Sequence, residues 1–344
     1  MFTPVHTTIG ALLLFSGSFG LLLHNGRVFG ISSILRSCLL HPGSFKDENN
    51  FPIVAGLVSS PLLVKLVVPS LLPSYPQDFS PTTTPPASPW VSAATTVGLG
   101  VLTGWGTKND QGCTSGHMLS GMSRLSPRSI IATAIFFTTG LLVANLAPSS
   151  TGHTLIPPCE NGPCYYPIYP NAFEVAVMGT TCIASLLTTF VFGPKILTRS
   201  SNSRRLFAYL AGIQFGLGLL FSGMADPAKV IRFFSFAGNT ADFDPSLALI
   251  ILFAIGPSLY GYLTVEPGKP DVNGNVKAPT LADTWSLSQL TVADIDWRFV
   301  VGAMVFGLAW GLSGVCPGPA ILRSVLQPVW GILWMSGYFL GGLI

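Results

Sequence analysis

Nine runs of apolar residues, each bounded by proline, glycine or charge, set the rhythm of the chain. They fall at 5–23, 53–72, 91–106, 129–147, 172–192, 206–222, 246–263, 299–312 and 325–344. A helix needs roughly 20 apolar residues to cross a bilayer, so these runs predict membrane-crossing helices. The third and eighth are the shortest. Each is rich in glycine and leads into a turn that carries a cysteine: Gly112-Cys113-Thr114-Ser115-Gly116-His117 in one case and Gly314-Val315-Cys316-Pro317-Gly318-Pro319 in the other. Composition agrees with the pattern. Of 344 residues, 49% are hydrophobic and only 9% are charged, against about 25% charged in a soluble domain. A chain so poor in charge cannot dress a soluble surface. The expected fold class is an all-α integral membrane protein of about nine transmembrane helices. The run at 5–23 is long enough to span and has no basic segment ahead of it, so it is read as a retained helix and not a cleaved leader.

Lysine and arginine decide the orientation, because cytoplasmic loops carry the excess of them. The first, third, fifth and seventh connections hold Arg27, Arg36 and Lys46; Lys108, Arg124 and Arg128; Lys195, Arg199, Arg204 and Arg205; and Lys269, Lys277 and Arg298. The other connections hold only Lys229, Arg232 and Arg323. This bias places the N-terminus outside and the C-terminus in the cytoplasm, in the plasma membrane. The proline-, threonine- and serine-rich second connection, with Pro73, Pro76, Pro81, Pro85, Pro86 and Pro89, then lies outside, and the 266–284 stretch reads as a flexible cytoplasmic linker.

The chain also repeats itself. Phe19-Gly20-Leu21 leading to Asn25-Gly26-Arg27 parallels Phe215-Gly216-Leu217 leading to Ser222-Gly223-Met224. Gly26 and Gly223 are 197 residues apart, and Cys113 and Cys316 are 203 apart. Two anchors with nearly one offset mark a duplication, with a first repeat over 1–200 and a second over 201–344. Five crossings separate the first span of each half, so the second copy is expected to be inverted about an axis in the membrane plane. In such folds the site lies at the midplane, where broken helices meet. Non-helical backbone survives at membrane depth only where protein buries it or a watery cavity meets it. The two cysteine turns are therefore expected to line a path, while Gly100/Gly104 and Gly307/Gly311 let helices close up.

The chemistry on offer is limited. Ser126-Pro127, Asp226-Pro227, Asp244-Pro245 and Cys316-Pro317 each read as a cap followed by proline at a helix start. A helix start aimed inward favours an anion. A thiol is a soft, weak donor, so Cys113 and Cys316 suit a sulfur-bearing ligand better than a hard ion. Cys38 and Cys182 read as small buried hydrophobes. Cys159 and Cys164 share an outside loop and read as a disulfide. Arg124 is placed to attract anions at the cytoplasmic mouth and Arg128 to anchor topology. Asp226, Lys229 and Arg232 are expected to pair with one another, and Lys65 and Glu174 to snorkel. No nucleotide-binding loop, Cys-x-x-Cys pair or cofactor fingerprint is present. The expectation is therefore a non-enzyme with no cofactor, no metal and no nucleic-acid partner.

These motifs together resemble the YeeE/YedE sulfur-transport family. The resemblance rests on Asn25-Gly26-Arg27 with Gly30-Ile31-Ser32, on Gly112 to His117 running on through Gly121-Met122-Ser123-Arg124-Leu125-Ser126-Pro127-Arg128-Ser129, on Ser222-Gly223-Met224-Ala225-Asp226-Pro227, and on Gly311-Leu312-Ser313-Gly314-Val315-Cys316-Pro317-Gly318-Pro319. The second half looks like a partner component that some bacteria encode separately, so the chain resembles a fusion. The family implies an hourglass with loops dipping in from both faces. It implies uptake of thiosulfate or a related anion along a path lined by cysteines, here Cys113 and Cys316. The neighbours Gly112, Thr114, Ser115, Gly116, His117, Pro317 and Gly318, together with Asn25, Arg27 and Arg124, would complete that path. The sequence departs from the family at one place: studied members have a further cysteine just after the first Gly-Arg, where this chain has Val28 and Phe29. A membrane thiol enzyme using the same two cysteines for redox or sulfur transfer is the competing reading, and a scaffold within a membrane complex a third.

Overall fold

A computed structural model describes residues 1–40, 49–75, 89–146, 156–159, 162–270 and 274–344. Most of the proline-rich connection, including Pro76, Pro81, Pro85 and Pro86, lies outside the described residues, as does Lys46. Among the described residues twelve helices follow one another: α1 Pro4–Asn25, α2 Ile31–Leu40, α3 Asn50–Val67, α4 Pro89–Asn109, α5 Pro127–Leu146, α6 Ala172–Ile196, α7 Ser201–Ser222, α8 Pro227–Phe233, α9 Pro245–Val265, α10 Trp297–Ser313, α11 Pro317–Leu326 and α12 Pro328–Leu343. A π-helical turn, Thr114–Gly121, connects α4 to α5. No strand forms among the described residues. The chain is an all-α integral membrane protein.

Among the described residues seven stretches are long and apolar enough to cross a bilayer: α1, α3, α5, α6, α7, α9 and the run Trp297–Leu326. The remaining two expected spans, α4 and α12, also form helices. α12 has 16 residues, and α4 is diluted by threonines. Those hydroxyls are satisfied within the helix, Thr96 donating to Ser92 O, Thr103 to Leu99 O and Thr107 to Thr103 O. α4 and α12 face each other rather than lipid along one side. A Cβ on Gly100 or Gly104 would sit 2.3 Å from Trp334 O or 2.0 Å from Tyr338 O, and one on Gly337 or Gly341 would sit 2.1 Å from a carbonyl of α4. Only glycine permits backbones so close. Gly307 and Gly311 do the same for α10 against α5, with Phe136 O and Gly140 O at 2.4 and 2.5 Å.

The packing has a regular plan. α1 lies on α7, and α4 on α10. α3 packs on α7 as α9 packs on α1, and α4 packs on α12 as α10 packs on α5. Exchanging α1, α2, α3, α4, the π-helical turn and α5 for α7, α8, α9, α10, α11 and α12, in that order, carries each of these contacts onto one of the set. Two short helices, α2 and α8, follow the long α1 and α7. Each long helix ends on a left-handed glycine, Gly26 at φ 67° and Gly223 at φ 77°, a backbone that L side chains avoid. α6 is tied to α1 and α7 by a buried hydroxyl cluster, in which Ser16 meets Thr189 at 2.9 Å and Ser185 at 3.0 Å, and Gln214 donates to Thr189.

Three local expectations change. Glu174 does not snorkel: it is the third residue of a capping box with Asn171 at the start of α6. The 266–284 stretch is held down where it is described. Leu281 is fully buried, and its N–H donates to His24 O while Arg199 and Arg204 donate to the carbonyls of Pro279, Thr280 and Leu281. Asp226, Lys229 and Arg232 do not pair among themselves. Asp226 caps α8, Lys229 reaches Asp244 at 3.9 Å and the Thr3 hydroxyl, and Arg232 donates to Pro157 O and Pro158 O. Lys229 and Arg232 find their partners outside α8, while the Asp226 carboxylate is taken up by Ala228 N at the start of that helix.

Candidate functional site

Both cysteine turns are built by the same backbone device. In the second half, α10 ends on Gly314 at φ 66°, and Val315 N donates to the Ser313 hydroxyl at 3.2 Å. In the first half, Gln111 takes the left-handed conformation at φ 61°, and Gly112 N donates to Asp110 Oδ1 at 2.9 Å. Asp110, Gln111 and Gly112 precede Ser313, Gly314 and Val315 by the 203 residues that separate Cys113 from Cys316. After the cysteines the halves diverge. Cys113 leads into the π-helical turn and Cys316 into α11, whose Pro317 takes the first helical position.

The two turns meet. Thr114 donates to Cys316 Sγ at 3.4 Å. Cys113 Sγ lies 3.2 Å from the Ser115 hydroxyl, which accepts from Ile31 N at 3.0 Å. Ile31 opens α2 and Pro317 opens α11, so two helix starts face one spot. A Cβ on Gly318 would lie 2.7 Å from Ile31 Cδ1, so glycine lets these starts approach. Cys113, Thr114, Ser115, Cys316 and Gly318 line one cavity of about 30 Å³, with Met118, Met224 and Phe215 completing it. Cys113 and Cys316 are buried free thiols. Val28 and Phe29 stand just after Gly26-Arg27, where the resemblance implies a further cysteine. Phe29 is fully buried and stacks, with ring centroids 4.2 Å apart, on Phe215, which lines the cavity.

Larger cavities adjoin the waist. One, of about 310 Å³, lies at the start of α1 and is lined by Thr3, His6, Ser70, Asp226, Lys229 and Arg232 among others. The other, of about 240 Å³, lies at the end of α1 and includes Arg27, Gly112, Gly116, His117, Arg124 and Arg128. Consecutive residues line neighbouring cavities: Gly223 and Met224 on one side of the waist, Gly30 and Ile31 as well as Ser115 and Gly116 on the other. Both vestibules present basic side chains. Arg124 donates to Ser120 O at 3.2 Å; burial lowers its pKa from the usual arginine value, yet a guanidinium stays charged at neutral pH. Arg128 is buried with its guanidinium 4.3 Å from the Phe299 ring centre. Nearby, hydrogen bonds from the Thr291 main chain and hydroxyl hold the Asp294 carboxyl below the ordinary range.

His117 and Asn25 serve the frame. His117 places Nε2 3.0 Å from Asp110 O and Nδ1 3.1 Å from the Ser129 hydroxyl. A carbonyl only accepts, so Nε2 carries a proton; in the neutral ring Nδ1 then accepts from the Ser129 hydroxyl. Asn25 is not among the residues lining these cavities. Its amide donates to Asn49 Oδ1 and Arg204 O, fastening the end of α1 to α3 and α7. Cys159 and Cys164 are joined in a disulfide, and Cys38 and Cys182 are buried away from the cavities. Met118, Phe215 and Met224 are among the waist residues that sequence reading missed. They carry no polar signal, and only the packing brings them there.

Two family models match separate parts of the chain. One, described as sulphur transport, covers 77–143; the other, a family of unknown function (DUF6691), covers 204–342. Among curated proteins, a probable transporter of Xylella fastidiosa strain Temecula1 is 41% identical over 136 residues, which are 40% of this chain and 89% of that protein. Two probable transporters of strain 9a5c are 40% and 37% identical, over 89% and 86% of their lengths and 40% of this chain. The chain belongs to the YeeE/YedE-like sulfur-transport family. Within this family member, the sulphur-transport match spans α4, the Cys113 turn and most of α5, while the other match takes in α7 to α12 and the Cys316 turn. This YeeE/YedE-like protein is a membrane transporter.

Proposed function

We propose that the chain carries a small inorganic sulfur anion, thiosulfate or a close relative, through the waist between the two vestibules. The observation that carries this reading is that thiols 203 residues apart, one from each half, line a single cavity onto which two helix starts converge. Helix starts favour negative charge, basic vestibules concentrate anions, and soft thiols and methionines suit a sulfur-bearing ion. The halves act as inverted copies, 1–200 and 201–344, and their exchangeable contacts support a waist near the midplane. On the lysine and arginine bias, the vestibule with Lys229 and Arg232 faces outside and the one with Arg27, Arg124 and Arg128 faces the cytoplasm of a plasma-membrane protein. A waist of about 30 Å³ has room for water-sized occupants only, so an anion passes when the turns separate. Uptake needs no bond to sulfur: Cys113 and Cys316 donate weak S–H hydrogen bonds, steadied by Ser115 and Thr114.

The test is uptake of labelled thiosulfate into proteoliposomes, compared across a panel of sulfur anions, for the wild type, Cys113→Ala and Cys316→Ala. The reading expects uptake in the wild type and a loss of about tenfold or more in each variant, the equivalent of one or two weak hydrogen bonds lost in the transition state. Wild-type uptake that survives both substitutions would overturn the role of the thiols. No uptake, with a persulfide found on Cys113 by mass spectrometry, would favour the enzyme reading.

A further inference from the structure

Asp110 is fully buried, and its two carboxylate oxygens have different fates. Oδ1 accepts from Gly112 N and shapes the cysteine turn. The matching residue, Ser313, does the same work with a neutral hydroxyl, so the turn does not require a carboxylate. Oδ2 is buried and has no hydrogen-bond partner, and Asp110 makes no ion pair within 4 Å with a described residue. An ionisable group unpaired at this depth is costly and marks function by default.

We propose that Asp110 is a proton site that couples anion movement to a proton. This rests on the transport reading above. The charged and titratable groups around it are Arg36 from α2, Arg128 from α5, His117 from the π-helical turn, and Tyr338 from α12. From α10, Gly302 packs on the Asp110 main chain, and Asp294 and Asp296 at its start act on Arg128. Arg36 Nη1 and Arg128 Nε are likewise buried without partners. Two guanidiniums beside a single carboxylate repel a metal cation, and among the described residues no group of three acidic, histidine or cysteine side chains could hold one. A proton is the cation that fits. Arg128 belongs to both environments: it lines the second vestibule and acts on Asp110. An anion in that vestibule draws on Arg128 and repels the carboxylate, so Oδ2 takes a proton from vestibule water and forms an O–H bond. When the anion leaves, the guanidiniums favour the carboxylate again and the proton returns to water. Linkage is reciprocal, so the bound proton raises anion affinity by the factor by which the anion favours the proton.

The experiment is calorimetric titration of thiosulfate into the purified full chain in detergent, from mildly acidic to mildly alkaline pH, in two buffers of different ionisation enthalpy. The wild type should bind more tightly as pH falls, by up to about tenfold per pH unit for one linked proton, with proton uptake on binding. Asp110→Asn and Asp110→Ser should bind with a pH-independent affinity and no proton uptake; the serine variant copies the turn of the other half, which guards against a folding failure. Variants that keep the wild-type pH dependence, or a wild type that binds without taking up a proton, would overturn the proposal. A wild type that binds no thiosulfate at any pH would instead remove the transport reading.

Discussion

Gly112 is the position where the cysteine turn has least freedom. A Cβ there would lie 2.2 Å from His117 Nε2, 2.3 Å from Cδ2 and 3.0 Å from Cε1. The main chain cannot retreat, because Gly112 N is held by Asp110 Oδ1 at 2.9 Å. The ring cannot slide, because it is pinned between Asp110 O and Ser129 and meets Phe299 edge-on at 6.2 Å. Gly112→Ala must therefore expel the imidazole. That forfeits two hydrogen bonds at about 1 kcal/mol each and leaves a buried carbonyl unpaired at a further 1–3 kcal/mol. The expected loss is about 2–4 kcal/mol, read as a shift of the unfolding midpoint in a denaturant titration in mixed micelles. Gly98→Ala and Gly179→Ala are the controls. Nothing lies within 4 Å of a Cβ at either helical site, so each should be neutral or stabilise by up to about 1 kcal/mol. The sharper test is a cycle with His117→Ala. With the ring removed, Gly112→Ala should cost under about 1 kcal/mol, giving a coupling of about 2 kcal/mol. A Gly112→Ala variant within about 0.5 kcal/mol of the wild type, or one equally damaging in both backgrounds, would refute the steric argument.

The matched turns and the stack of Phe29 on Phe215 give further expectations in the same unfolding assay. Gln111→Gly should stabilise by about 1 kcal/mol, since Gln111 holds a left-handed backbone that costs a side chain roughly that much. Gly314→Ala should destabilise by at least about 2 kcal/mol, because its Cβ would add a 2.4 Å clash with Pro227 O to the same strain. Equal responses at the two sites would sink the correspondence drawn between them. Phe29→Ala should cost about 3–5 kcal/mol, the price of a cavity where a fully buried ring is stacked on Phe215; a cost under about 1 kcal/mol would show that Phe29 does not support the waist.

Apolar runs located the long helices because lipid demands continuous hydrophobicity, and no local propensity competes with that demand. The same signal is weaker where a helix faces its neighbours. α4 runs on to Asn109, past the residue 106 that its pattern suggests, because glycine and threonine faces buried against α10 and α12 need not be apolar. The 266–284 stretch reads as a linker because it is polar and carries Pro267, Pro270 and Pro279. What holds it is a set of main-chain carbonyls taken by Arg199 and Arg204, and carbonyls leave no trace in a sequence. Those arginines were legible as orientation markers but not as clamps.

The cysteine turns show the limit most clearly. Spacing alone paired Cys113 with Cys316, and the shared cavity follows from that pairing together with the contacts of α2 and α11. Spacing could not reveal that the halves have divided the labour. Around Cys316 the turn is neutral and stiff: serine caps it, glycine takes the left-handed position, and proline-glycine-proline starts a plain α-helix. Around Cys113 each of those choices is replaced by something costlier, with aspartate for serine, glutamine for glycine, and a π-helical turn stitched by His117 for a regular start. A duplicated turn that retains the cheaper solution in one copy has a working alternative at hand. The first copy's extra carboxylate oxygen, its strained residue and its wider helical turn are therefore better explained by a task of the Cys113 side than by the needs of the fold. The serine and glycine substitutions, made together as Asp110→Ser with Gln111→Gly, separate the two explanations. A chain that becomes more stable yet loses proton-linked anion binding would place the cost in function, whereas a chain that loses stability would place it in the fold.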